Sequence, residues 1–124
     1  MIVGLGLDVV DVARVAAILE RSAESFLRRI LHADEDAARA RTAEGPAYVS
    51  GQFAAKEAVM KALGTGMAGA AFGEIAVLRG PGGAPFVELE GKTAERAQEL
   101  GIERWHISIT HSRSTAAAIA IAER

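Results

Sequence analysis

The chain of 124 residues contains no cysteine, so disulfides, thiolate nucleophiles and cysteine-held zinc or iron–sulfur sites are excluded. Aromatic residues are scarce, 5% of the chain against 50% for hydrophobic residues as a whole. The core must therefore be built mainly from Ala, Val, Ile and Leu. There is no basic surplus either: the formal net charge is -2, which argues against general nucleic-acid binding, because neutralising phosphates needs an excess of Lys and Arg. The longest apolar run, Ala116 to Ala122, is far short of a membrane span. The opening MIVGLGLD lacks the basic flank, long apolar centre and cleavage site of a secretory signal, and a cytoplasmic location is expected. The length suits a single domain, 1–124, with one modest core. Burying further surface on self-association would help so small and apolar a chain.

What is present falls into two halves. Ile2 to Asp8 reads as a strand, and from Val9 to Glu20 the spacing becomes helical, with Asp11 as a candidate cap and Val12, Val15, Ala16 and Leu19 on one face. Phe26 to Leu31 continues the helical pattern. Asp34 or Asp36 could cap a short helix ending near Ala43, and Pro46 suits the first turn of a helix that runs to Leu63 and stops at Gly64. Beyond that point Glu74 to Arg79 and Pro85 to Glu90 read as strands joined by the turn GPGG. Thr93 to Leu100 reads as a helix, and Trp105 to Thr110 with Thr115 to Ala122 reads as a closing hairpin around HSRS. This order predicts an α+β fold, an antiparallel sheet packed against a long central helix with shorter helices.

The central helix carries FAAKEAVMKALGTG, Phe53 to Gly66, in which three charges interrupt an apolar stretch. On a helical wheel Phe53, Val59, Met60 and Leu63 share one sector, and Glu57 and Lys61 lie together at its edge with i to i+4 spacing. An ordinary solvated Glu–Lys pair would look the same. Lys56 lies within the apolar sector itself, where it would either snorkel outward or point its ammonium into a polar cleft. Gly64-Thr65-Gly66 ends the helix and could also offer backbone N–H groups to a phosphate.

Asp8, at the end of a strand, could cap the chain or ligate a hard metal. Together with Glu57, waters and phosphate oxygens it would suit an octahedral Mg²⁺ shell. His111 and Ser112 sit at the last hairpin turn, but no G-x-S-x-G elbow supports a serine hydrolase. Arg14, Arg21 and Arg28 recur every seven residues and would form a stripe if the helical segments stay collinear. Such a stripe is either a solvated face or a docking surface for an acidic partner.

Taken together, GLGLDVVDVARV, FAAKEAVMKALGTG and ISITHSRSTAAAIAIAE, in this order and spacing, resemble the holo-acyl-carrier-protein synthases, the small class of 4′-phosphopantetheinyl transferases. The resemblance implies transfer of the phosphopantetheine arm of coenzyme A to a serine of apo acyl carrier protein, a step that serves fatty acid biosynthesis. It also implies a homotrimer with active sites between subunits. It makes Asp8 and Glu57 the Mg²⁺ ligands and has Lys61 hold the diphosphate. Gly64, Thr65, Gly83, Pro85, His111 and Ser112 would lie beside coenzyme A, with Tyr48 near the adenine and Gln52 where the family commonly has Arg. Arg14, Arg21 and Arg28 would dock the acidic carrier protein. Ala84 stands where a Lys often precedes the Pro, Thr115 where a Tyr is frequent, and Arg113 is the candidate replacement cation for the nucleotide's 3′-phosphate. Two other functions share these residues: a non-catalytic carrier-docking module, and a metal-dependent nucleotide diphosphatase.

Overall fold

A computed structural model describes residues 1–36, 40 and 45–124. The chain runs β1 (Ile2–Asp11), α1 (Val12–Ile30), α2 (Gly45–Leu63), two 3-10 turns (Gly66–Ala68 and Phe72–Glu74), β2 (Ile75–Arg79), β3 (Pro85–Leu89), α3 (Gly91–Glu99), β4 (Arg104–His111) and β5 (Thr115–Glu123). All strand pairs are antiparallel: β1, β5 and β4 form one sheet in that order, and β2 pairs with β3 alone. The α+β expectation holds, and no helix among the described residues is long and apolar enough to cross a membrane. The short helix expected from Asp34 or Asp36 to Ala43 lies largely outside the described residues.

The first boundary differs from the expectation. β1 continues to Asp11, because Val9 and Val10 still alternate outward and inward while pairing with Ala117 and Ala116 of β5. Asp11 nevertheless caps α1 as expected, its carboxylate accepting from the Ala13 N–H at 3.1 Å. α3 likewise begins two residues before Thr93. Glu74 reaches across from the second 3-10 turn and accepts from the Lys92 and Thr93 N–H groups, both at 3.2 Å, supplying from a distance the cap that the local sequence lacks.

α2 lies on the inner face of the three-stranded sheet, and the contact is built from the smallest residues. Ala54, Ala55 and Ala58 of α2 and Ala118, Ala120 and Ala122 of β5 belong to one core in which these alanines are at most 2% exposed. β1 presents Gly4 and Gly6 to the helix. A Cβ on Gly6 would fall on the Ala58 carbonyl oxygen and 2.6 Å from its carbonyl carbon, so strand and helix backbones touch. Gln52 and Lys56 are sealed in this core, at 1% and 0% exposure. Lys56 neither snorkels nor faces a cleft.

The outer face of the sheet is also apolar. Leu5, Leu7 and Val9 are 61%, 58% and 64% exposed, and their register partners on β5 are Ile121, Ile119 and Ala117. A contiguous patch of this kind on a small chain marks an association surface.

Candidate active site

At the junction of β1, α1 and α2 a cleft of about 410 Å³ opens, lined among others by Asp8, Arg14, Phe26, Phe53, Glu57 and Lys61. Each polar group arrives there for a local reason. Asp8 faces inward because it shares strand parity with Gly4 and Gly6, where the backbone of α2 leaves no room for a side chain. Glu57 and Lys61 stand one turn apart on α2, and Arg14 comes from the first turn of α1.

The Lys61 ammonium donates to Asp8 Oδ1 at 3.2 Å and to the Leu7 carbonyl at 2.9 Å. It spans 53 residues of sequence to do so. Glu57 titrates above the ordinary carboxylate value: partial removal from water pushes it up first, the Asp8 carboxylate pushes it further, and Lys61 opposes both. Two acids thus crowd each other at the floor of a cleft rimmed by cations, an arrangement that a bound cation would relieve. Among the described residues no group of three or more His, Asp or Glu side chains is placed to hold a metal. The site is therefore no closed all-protein cage. Two hard carboxylates with room for other oxygen ligands do fit Mg²⁺, which usually takes one or two carboxylates and completes its shell with water and substrate phosphates.

The remaining predicted residues lie elsewhere. None of Tyr48, Gln52, Gly64, Thr65, Gly83, Pro85, His111 and Ser112 is among the described residues lining the cleft. Tyr48 lines a separate hollow with Asp34, Asp36, Arg79 and Phe86. Gly83 takes a positive φ of 84° in the β2–β3 turn, and Pro85 opens β3. His111 is joined through Ala116 to Val10, two strand spacings and about 10 Å from β1. Ser112 Oγ accepts from the Thr115 N–H at 3.3 Å, closing the hairpin. Gly64 has a φ of 73° and spends its N–H on the Lys61 carbonyl at 3.0 Å, which is the work of a helix stop.

Two expectations need correcting. Gln52 is not presented to a ligand: its amide donates to the Glu35 carboxylate and, at 2.9 Å, to the Val77 carbonyl. Nor do the arginines form an unbroken stripe. Ser22 has φ -151° and ψ 44°, so α1 is kinked between Arg21 and Arg28. Arg14 lines the cleft, whereas Arg28 lines a different hollow with Glu24 and His32.

Sequence reasoning passed over Phe26 and Glu35. Phe26 stacks on Phe53 at 6.3 Å between ring centroids, and Phe53 stacks on Phe72 at 5.3 Å. In a chain with four phenylalanines, three on helical or turn segments around one lysine were a usable signal. Glu35 offered none, since nothing local distinguishes it from its acidic neighbours.

An antiparallel sheet packed on one long helix thus brings two acids and two cations together in one cleft. The chain belongs to the 4′-phosphopantetheinyl transferase superfamily, whose pattern matches residues 4–121. It is 46% identical over 124 residues to the holo-[acyl-carrier-protein] synthase of Nitratidesulfovibrio vulgaris strain Hildenborough, covering 99% of each chain. Its structure superposes on the Neisseria meningitidis holo-[acyl-carrier-protein] synthase with a TM-score of 0.91 at 31% identity, covering 100% of both chains. The Helicobacter pylori holo-[acyl-carrier-protein] synthase, solved in complex with coenzyme A, matches with a TM-score of 0.82 at 28% identity, over 96% of this chain and 99% of that one.

Proposed function

We propose that this chain transfers the 4′-phosphopantetheine of coenzyme A to a serine hydroxyl of apo acyl carrier protein, releasing adenosine 3′,5′-bisphosphate. The observation that carries this reading is the convergence of Asp8, Glu57 and Lys61 from distant parts of the chain into one cleft. Asp8 and Glu57 would hold a Mg²⁺ ion, which when bound offsets the charge of the diphosphate. Lys61, 52% exposed at the rim, is free to turn its ammonium from Asp8 to a phosphate oxygen and to steady the negative charge that grows on the leaving nucleotide. Arg14, from α1, adds a second cation to the same cleft. Phosphoryl transfer asks the protein for positioning and charge neutralisation more than for covalent help, and these residues supply both.

The reading extends to assembly. The apolar outer face of the sheet and the separation of Tyr48, Pro85 and His111 from the cleft both fit a homotrimer in which a neighbouring copy brings those residues to coenzyme A. Leu7→Asp is then expected to yield monomers by light scattering and to lower transfer along with assembly. A stable trimer in that variant would remove the face from the interface.

One assay separates transfer from the other two functions. The protein is mixed with coenzyme A, Mg²⁺ and apo carrier protein, and the intact carrier is weighed by mass spectrometry. A gain of one phosphopantetheine, abolished by chelator, is the expected result. Cleavage of the cofactor with an unmodified carrier would identify a diphosphatase, and carrier binding without either reaction a docking module.

Docking of the acidic carrier is expected to use the segment of α1 before Ser22. Replacing Arg14 and Arg21 by Glu should weaken carrier affinity at least about tenfold at low ionic strength, with the difference shrinking as salt screens it. Arg28→Glu, beyond the kink, should matter less. Equal losses for Arg21→Glu and Arg28→Glu would restore the continuous stripe.

A further inference from the structure

Of the three charges in FAAKEAVMKALGTG, Lys56 takes no part in the chemistry just described, yet it is the most deeply held. Its ammonium donates to the Ile30 carbonyl, to the Phe72 carbonyl at 3.2 Å and to the carboxylate of Glu35. Both ionic side chains are fully buried. Glu35 also accepts from the His32 N–H at 2.8 Å and from the Gln52 amide. Stability alone gives little reason for such a pair, because apolar replacement of a buried ion pair is often neutral or stabilising. Geometry gives a better one. An ammonium has three donors to spread over three acceptors, and the two carbonyls it holds belong to residues of the catalytic neighbourhood. Ile30 is the last residue of α1, and Phe72 opens the second 3-10 turn. With Phe26, Arg29, Phe53 and Glu57 they line a cavity of about 220 Å³. That cavity shares Phe26, Phe53 and Glu57 with the main cleft.

We propose that Lys56, with Glu35 as its counter-ion, is a positioning residue for transfer: it ties the last turn of α1 and the Phe72 turn to the turn of α2 that carries Glu57, and so fixes the walls between which the reacting group sits. The proposal rests on the transferase reading above. It assigns the buried pair to geometry and leaves stability to the surrounding alanines and phenylalanines.

The decisive variant is Lys56→Met/Glu35→Leu, which removes both charges and fills their space. The expected result is a thermal midpoint at or above that of the wild type, Mn²⁺ affinity within about threefold of wild type because Asp8 and Glu57 stay in place, and kcat for transfer down by at least about tenfold. Wild-type kcat in a folded double variant would overturn the proposal, since a merely structural pair is replaced without loss once its charge is removed. Should that variant fail to fold, Lys56→Gln/Glu35→Gln keeps hydrogen-bonding groups at both positions, and the same tenfold criterion on kcat applies. If wild-type protein modifies no carrier, the transferase reading falls by itself, and the pair is judged on the affinity for coenzyme A by calorimetry: weakening of about tenfold sustains the positioning role, and unchanged affinity ends it.

Discussion

Glu57→Gln is expected to lower phosphopantetheine transfer about 10³-fold, the scale on which removal of one preorganised electrostatic group acts, while making the protein in the presence of chelator more stable to heat. The two effects share a cause. Glu57 titrates above its ordinary value because burial and Asp8 both oppose its ionised form. A carboxyl whose folded value is raised is the stronger proton binder in the folded state. Stability is therefore lost as pH rises through the window between the ordinary glutamate value and the raised one. Above that window the wild type carries the full cost of the ionised group. The neutral isostere carries none, so its melting temperature in chelator should lie above that of wild type and should no longer fall across the window. Activity moves the other way: the carboxylate must be ionised to hold a cation, so cation affinity should fall as pH drops below the raised value. Asp8→Asn, by removing a like charge, should shift that limb to lower pH even as it weakens binding. Mn²⁺ titrations followed by electron paramagnetic resonance across pH would read the cation affinity and the position of its limb, and melting curves in chelator the stability. A Glu57→Gln protein that turned over at the wild-type rate would take Glu57 out of the reaction.

The parts of this site that were legible in the sequence are those set by short-range chemistry. Asp11 caps α1 through the N–H two residues on, and Pro46 and Gly64 mark the ends of α2 because a proline ring and a positive φ impose themselves locally. The i to i+4 pairing of Glu57 and Lys61 is equally local. Val9 and Val10 belong to the strand and not to the helix that the sequence suggests, because two apolar residues before a capping residue satisfy both the period of a strand and the start of a helix. Only the ladder with β5 decides between them.

Lys56 shows the opposite limit. A lysine in an apolar sector announces a buried partner without naming it, and that partner, Glu35, lies 21 residues away in a segment with no periodicity. Gln52 follows from the same cause, since its amide is drawn into the core by Glu35 and by the Val77 carbonyl 25 residues on. The Arg14–Arg28 stripe failed for a different reason. Seven-residue spacing aligns side chains only on an unbroken helix, and Ser22, a residue whose hydroxyl competes for nearby backbone groups, departs from helical dihedrals.

Gly6→Ala is expected to lower kcat/KM about 100-fold, the cost of displacing a positioned group by about 1 Å, although Gly6 is not among the described residues that line the cleft. Residues 4, 6 and 8 of β1 share one face and advance by about 6.7 Å per pair of residues. Ala62 and Ala58 of α2 are about 6 Å apart along the helix axis. Strand and helix therefore run in near register, with Gly4 against Ala62 and Gly6 against Ala58, until Asp8 introduces the first side chain large enough to need space. The touching backbones set the distance from which Asp8 meets Lys61 at 3.2 Å and presses on Glu57. An added methyl at Gly6 collides with backbone that cannot rotate away, so α2 must retreat at the turn that carries Glu57, at a cost in stability of about 2 kcal/mol, typical of overpacking. Gly4→Ala meets the Ala62 carbonyl in the same manner but two residues farther from the acids, and serves as the matched comparison. Similar losses of melting temperature in the two variants, with Mn²⁺ affinity lost mainly in Gly6→Ala, are the expected outcome. Mn²⁺ affinity that simply tracked melting temperature in both would reduce the glycine contact to a packing feature with no share in aiming the carboxylates.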